Sequence, residues 1–247
     1  MKMKITVIDK EHNFDNAAAW CVVGQILNKP VSVIGLSTGR TTGNMHRKIA
    51  SIYKDTPFDV SQTTFFGLDE VVNVPREYSG ACYTMLKTEL MDDLGVADDN
   101  FLMLPTKSDD FKSACAAFVG ELRRRGGIDL LILGLGENGH LGFNQPGSPF
   151  GEEAWVTCMN RELEERISRE TGITEGLGGV TLGIKEIMNA RRIVLVAKGR
   201  NKSEIVRTMF ECPVTPDVPA SVLRLHPNVE YLLDAEAASL INPENIH

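Results

Sequence analysis

Cysteine is sparse in this 247-residue chain and never spaced as a pair. Cys21, Cys82, Cys115, Cys158 and Cys212 are odd in number, widely scattered and form no CxxC element. That excludes a disulfide framework and points to a reducing, intracellular setting. Long apolar runs are missing too. No stretch approaches the ~20 residues of a membrane-spanning helix, and Met1-Lys2-Met3-Lys4-Ile5-Thr6-Val7 is too short an apolar run for a secretory signal. Positive charge is in deficit: 26 lysines and arginines against 33 acidic residues leave a net charge of −7 and a pI near 5.3. That balance disfavours a nucleic-acid or anionic-membrane partner, and an anionic small molecule would have to find its cations locally. His12, His46, His226 and His247 stand in no ligand spacing with one another or with the cysteines, so no metal site is expected. The expectation is a soluble cytoplasmic protein.

What is present is ordinary in bulk: 43% hydrophobic, 24% charged and 6% aromatic residues. Those values exclude disordered, collagen-like and disulfide-stapled chains, and a chain of this length buries roughly three quarters of its extended surface. Short apolar runs read as buried strands at 31–36, 63–68, 100–104, 129–133, 192–197 and 229–233. Between them, helical spacing covers 13–27, 42–53, 79–94, 109–125 and 201–210. Such alternation predicts an α/β fold, a Rossmann-like, doubly wound, mainly parallel sheet with helices on both faces. No repeat or linker divides the chain, so residues 1–247 are expected to form a single domain. Only 147–179 breaks the rhythm; a mobile lid, an active-site insertion and a plain surface excursion all fit its composition.

Ligands of open parallel sheets bind beyond the carboxyl ends of the strands, so the residues after each predicted strand carry the functional reading. Ser37-Thr38-Gly39-Arg40-Thr41-Thr42-Gly43 joins a strand to a helix and can offer backbone N–H groups, hydroxyls and a helix N-terminus to an anion. An ordinary turn with a Thr cap fits the same residues. No GxxxxGK[ST] loop is present. Asp69 and Glu70 follow Phe65-Phe66-Gly67-Leu68. One of them suits a general base, shielded by the phenylalanines and with a raised pKa; a helix cap with Glu70 in solvent is the plainer alternative. Gly134-Leu135-Gly136-Glu137-Asn138-Gly139-His140-Leu141-Gly142-Phe143-Asn144-Gln145-Pro146 is the most specific element. A lone imidazole among Asn138, Asn144 and Gln145 can exchange protons near neutral pH, its tautomer fixed by the amides. The formal GxGxxG match does not indicate a dinucleotide, because Pro146 and Gly147 prevent a following helix. Lastly, Lys202 falls in a predicted first helical turn, where the dipole disfavours a cation unless an anion docks there. Ser37 and Ser203 lack a nucleophile-elbow context.

Taken in order, these segments, together with 75–83, 181–190 and Leu225-His226-Pro227, resemble the glucosamine-6-phosphate deaminase/isomerase family along nearly the whole chain. The GxGxxGHxxFNxP element is highly specific to it. Related 6-phosphogluconolactonases share the glycines and the His but continue differently after it. The resemblance implies opening of an aminosugar 6-phosphate, aldose–ketose isomerisation, and release of ammonia, with no cofactor. It implies that Asp69 moves the proton between C2 and C1, that His140 assists ring opening, and that Asn138 and Gln145 support the imidazole. Gly39, Arg40, Thr41, Arg169 and Lys202 would hold the phosphate, with Thr38, Glu70 and Gly139 also contacting substrate. The family usually has Glu at the position of Gln145; an amide orients the ring without stabilising its charge, so a lower His140 pKa is expected. The region after Pro146 carries Glu152-Glu153 and lacks the basic residues that bind an allosteric aminosugar phosphate in some homologues, so no such activation is expected. The Leu68-Asp69-Glu70-Val71-Val72 run and the missing Glu fit the family's galactosamine-6-phosphate deaminase/isomerase branch. Inversion at C4 touches neither the C1–C2 chemistry nor the phosphate, so the motifs do not separate the two sugars. Lactone hydrolysis and non-catalytic sugar-phosphate sensing are the alternative functions. The partner is a small sugar phosphate, and a homo-oligomer is compatible with the sequence.

Overall fold

Strand residues of one parity face one helical layer and those of the other parity face the second, and this alternation sets the architecture. A computed structural model describes residues 4–242, except the side chain of Glu11; Met1–Met3 and His247 lie outside the described residues. The chain runs β1 (Lys4–Ile8), α1 (Glu11–Asn28), β2 (Val33–Leu36), α2 (Arg40–Asp55), β3 (Thr64–Gly67) and β4 (Asp69–Val72). Next come α3 (Cys82–Leu86), a π-helical turn (Lys87–Met91), α4 (Asp92–Leu94), β5 (Phe101–Leu102), α5 (Phe111–Arg124) and β6 (Leu130–Gly134). The remainder is β7 (Ala154–Thr157), α6 (Arg161–Thr171), β8 (Gly178–Leu182), α7 (Ile184–Met188), β9 (Ile193–Ala197), α8 (Ser203–Glu211) and β10 (Val229–Asp234).

Seven strands form a parallel sheet in the order β1-β10-β9-β6-β2-β3-β5. In β6 and β9, Leu131, Leu133, Ile193 and Leu195 pack with Phe118 and Val119 of α5, Ile187 of α7 and Val206 of α8. Their alternates Leu130, Ile132, Val194 and Val196 pack on the opposite face with Val22 of α1, Ile49 of α2 and Leu90 of the π-helical turn. The predicted doubly wound sheet is therefore present, with both faces covered.

Three differences from the sequence expectation bear on the site. The predicted strand 100–104 shrinks to two residues at the sheet edge. β1 adds an unpredicted strand at the other edge. Asp69-Glu70, expected as a strand end, open a separate antiparallel sheet, β4-β8-β7, to which the 147–179 stretch contributes β7 and the start of β8.

From β2 the chain steps outward to β3 and β5, then returns past β2 to β6 and β9. The loops after β2 and β6 thus part in opposite directions at adjacent carboxyl ends, which opens a crevice suited to a ligand. Ser37 stitches these strands, its hydroxyl donating to the Ile132 carbonyl at 2.8 Å and accepting from the Gly134 N–H at 3.3 Å.

Candidate active site

At the head of α2, Gly39 has φ +134° and serves as N-cap; no side chain caps the helix and its first turn carries no acid. Free N–H groups and the positive end of the helix dipole at this position can receive an anion. Lys202 ends a 3-10 turn, Arg200–Lys202, before α8 rather than lying within the helix. Its ammonium is mostly buried and has one distant carboxylate, Glu137 at 4.0 Å. Burial and the nearby Arg40 charge push the Lys202 pKa down, against the opposing pull of Glu137. Two cations held close enough to disfavour each other would both be relieved by an anion between them.

The Gly134–Pro146 loop turns back on itself through a Gly139 N–H to Gly136 carbonyl bond of 3.0 Å and a Leu141–Asn144 bridge. Gly136 has no room for a side chain: a Cβ there would lie 2.1 Å from His140 Nδ1. His140 Nδ1 lies 2.7 Å from Asn138 Oδ1, whose own Nδ2 donates to Gln145 Oε1 at 3.1 Å. An amide oxygen only accepts, so Nδ1 bears the proton and Nε2 is left as the basic nitrogen. Burial first and Lys202 second lower the His140 pKa, opposed by Glu137, so the ring is neutral near pH 7. Gln145 reaches the imidazole only through Asn138. Asn144 is wholly buried, donates to the Leu141 and Leu182 carbonyls and accepts from Trp155 Nε1, which anchors the loop to the small sheet.

The same loop meets Asp69 at Gly142. There φ is +57°, and a Cβ would stand 3.4 Å from Asp69 Oδ2 and 2.6 Å from Thr181 Oγ1. Asp69 is 8% exposed. Burial and the adjacent Glu70 charge raise its pKa to about 7, with a hydrogen bond from Cys82 opposing the shift. A carboxyl that titrates near neutrality can take a proton and return it.

Glu70 is placed otherwise than expected for a substrate contact. It is 2% exposed, and its carboxylate accepts the N–H groups of Cys82 and Tyr83, both at 2.7 Å, at the start of α3. Unsatisfied amides at a buried helix start outcompete a ligand for it. Thr38 donates to Cys82 Sγ at 3.2 Å. Arg169 is exposed on α6 with its Nε on the Glu165 carbonyl, in a groove with Ser168, Thr174 and Leu177; Lys202 is near enough to both Arg40 and His140 for their charges to act on one another. Cys82, buried between Thr38 and Asp69, had no signal in the sequence beyond being a cysteine. Of the other histidines, His226 is buried between the Ala190 carbonyl and the Asn228 N–H, and His46 is held by Glu89. Among the described residues no group of three potential ligands could hold a metal, and no helix is long and apolar enough to cross a membrane.

A parallel α/β sheet whose switch point carries a near-neutral carboxyl, a neutral imidazole and two cations over an uncapped helix is an acid–base enzyme for an anionic small molecule. The family model for glucosamine-6-phosphate isomerases/6-phosphogluconolactonase matches residues 16–232, and the chain belongs to that family. It is 34% identical to a glucosamine-6-phosphate deaminase of Clostridium botulinum (strain Loch Maree / Type A3) over 242 residues, 97% of this chain and 99% of that one. A glucosamine-6-phosphate deaminase of Alkaliphilus oremlandii (strain OhILAs) is 32% identical, over 95% of this chain and 100% of that one. A solved monomeric glucosamine-6-phosphate deaminase superposes with a TM-score of 0.89 at 28% identity, covering 96% of this chain and 100% of that one. The 6-phosphogluconolactonase of Trypanosoma brucei shares the fold, with a TM-score of 0.79 at 21% identity over 98% of this chain and 99% of that one.

Proposed function

We propose that this chain, acting as a single domain in the cytoplasm, converts glucosamine 6-phosphate and water to fructose 6-phosphate and ammonia. The observation that carries the reading is Asp69: a buried carboxyl with a pKa of about 7, touched by the loop that bears His140. The phosphate rests on the α2 N-terminus between Arg40 and Lys202, with Gly39 and Thr41 supplying the loop. Arg169 is a further phosphate contact only if α6 approaches the crevice, so its substitution should weaken binding less than that of Lys202. His140 Nε2 takes the proton of the anomeric hydroxyl and returns it to the ring oxygen, opening the sugar. Asp69 then takes the C2 proton while the substrate ammonium yields one to O1, giving an enolamine, and Asp69 delivers its proton to C1. The resulting C2 imine adds water and expels ammonia. Asn138, held by Gln145, keeps the imidazole in the tautomer this requires.

Glucosamine 6-phosphate is favoured over its C4 epimer because the curated relatives above carry that name. Glu153, bonded to Arg123 and Lys185, offers nothing to an anionic activator, so saturation should be hyperbolic. The test is a coupled assay with glucosamine 6-phosphate, galactosamine 6-phosphate and 6-phosphogluconolactone. Ammonia and fructose 6-phosphate are expected from the first. Turnover of the lactone alone would select a lactonase, and tight binding without turnover of any of the three would select a sensor. Asp69→Asn should abolish turnover while retaining substrate binding; normal turnover would remove Asp69 as the base.

A further inference from the structure

Asp69 sits in a pocket that does little to satisfy it. Titratable groups facing it are Glu70 on its own strand and Cys82 on α3; β8 presents Thr181 and the motif loop presents Gly142, neither of which titrates. Among the described residues, the side-chain donor that reaches its carboxylate is the Cys82 thiol, with Sγ 3.7 Å from Oδ1. That thiol is itself constrained from two sides. The Thr38 hydroxyl donates to the sulfur at 3.2 Å, which occupies a sulfur lone pair and directs the S–H toward Asp69. Glu70 binds the Cys82 and Tyr83 N–H groups, which fixes the backbone carrying the thiol. Burial and the two carboxylates push the Cys82 pKa well above its ordinary value, so the sulfur keeps its proton wherever Asp69 ionises.

We propose that Cys82 is a positioning residue for the Asp69 base: its S–H holds Oδ1 and leaves Oδ2, on the Gly142 side, as the oxygen that exchanges the substrate proton. This rests on the reading of Asp69 as the base. The thiol suits the task because it is a weak donor. It orients the carboxylate and lowers its proton affinity slightly, without driving it down to the ordinary carboxylate range where it would be a poor base. The same contact ties the phosphate loop, through Thr38, to the proton-transfer group.

The test is the pH profile of kcat/KM. Removing a donor to the ionised form raises the Asp69 pKa, so Cys82→Ala should move the acid limb to higher pH by roughly half to one unit. KM for the phosphorylated substrate should stay within about twofold. Cys82→Ser, which keeps a donor, should lie closer to the wild type than Cys82→Ala does. A folded Cys82→Ala enzyme with the wild-type acid limb would overturn the proposal. Should that variant not fold, the wild-type protein supplies a second readout, the S–H infrared stretch assigned to Cys82 by its loss in Cys82→Ser. That band should move to higher frequency as pH falls through about 7, when Asp69 protonates. A band without that titration refutes the contact. The infrared result does not depend on turnover, so failure of the thiol contact is distinguishable from failure of Asp69 as base, which Asp69→Asn reads.

Discussion

Ionised Asp69 is a liability to the fold, and the size of that liability measures how far the site is tuned. Its folded pKa of about 7 lies above the ordinary Asp value of roughly 3.9. A raised pKa means that the folded state binds the proton more tightly than the unfolded one. The favourable contribution is present in full below about pH 3.9 and is lost as pH rises through 7. Asp69→Asn, neutral at every pH, should therefore stabilise the protein by up to about 4 kcal/mol at pH 8 and by clearly less at pH 5. Urea denaturation at the two pH values checks this; an equal gain at both would mean that the carboxyl is not desolvated as described. The sequence marked Asp69 by its place after an apolar run, and His140 by its glycine-rich surroundings. It did not reveal that Gln145 acts on the ring through Asn138, or that burial and Lys202 are what depress the imidazole, because both depend on how the loop closes in space.

Among the elements, β4 shows where pattern reading stops. Its four residues, Asp69-Glu70-Val71-Val72, are all buried and pair with Thr181-Val180-Gly179-Gly178. Two carboxylates and two glycines hide the alternation that marks a strand, so the small sheet left no periodic signal. The main-sheet strands were legible because burial on both faces demands uninterrupted apolar runs. α3 starts at Cys82, later than its helical spacing suggests, since Glu70 acts as a remote cap from the neighbouring strand. Glu70→Ala would strand the N–H groups of Val71, Cys82 and Tyr83 and should cost about 2–4 kcal/mol. Glu70→Gln keeps an acceptor and should cost less. Chemical denaturation of the two variants gives the ranking, and equal stabilities would remove Glu70 as the cap of α3.

For the whole molecule, the phosphate loop, His140 and Lys202 follow β2, β6 and β9, which lie side by side in the sheet although distant in the chain. An anion site built from them would therefore exist only in the folded state. Inorganic phosphate at 100 times its Kd should raise stability by about 2.7 kcal/mol, and Lys202→Ala should largely abolish that gain; an unchanged increment in melting temperature would place the anion elsewhere. The bulk charge of −7 gave no hint that the Arg40 and Lys202 charges act on each other, because a net sum does not locate its cations. By itself the sequence determined the parallel α/β class and the family, since apolar periodicity and a contiguous motif are local properties of the chain. Only the tertiary structure decided that Glu70 supports a helix, that Asn144 anchors the motif loop to the small sheet and that a cysteine lies against Asp69. Those assignments rest on which groups are close together and shielded from water, and side-chain proximity between distant segments is written in the packing rather than in the order of residues.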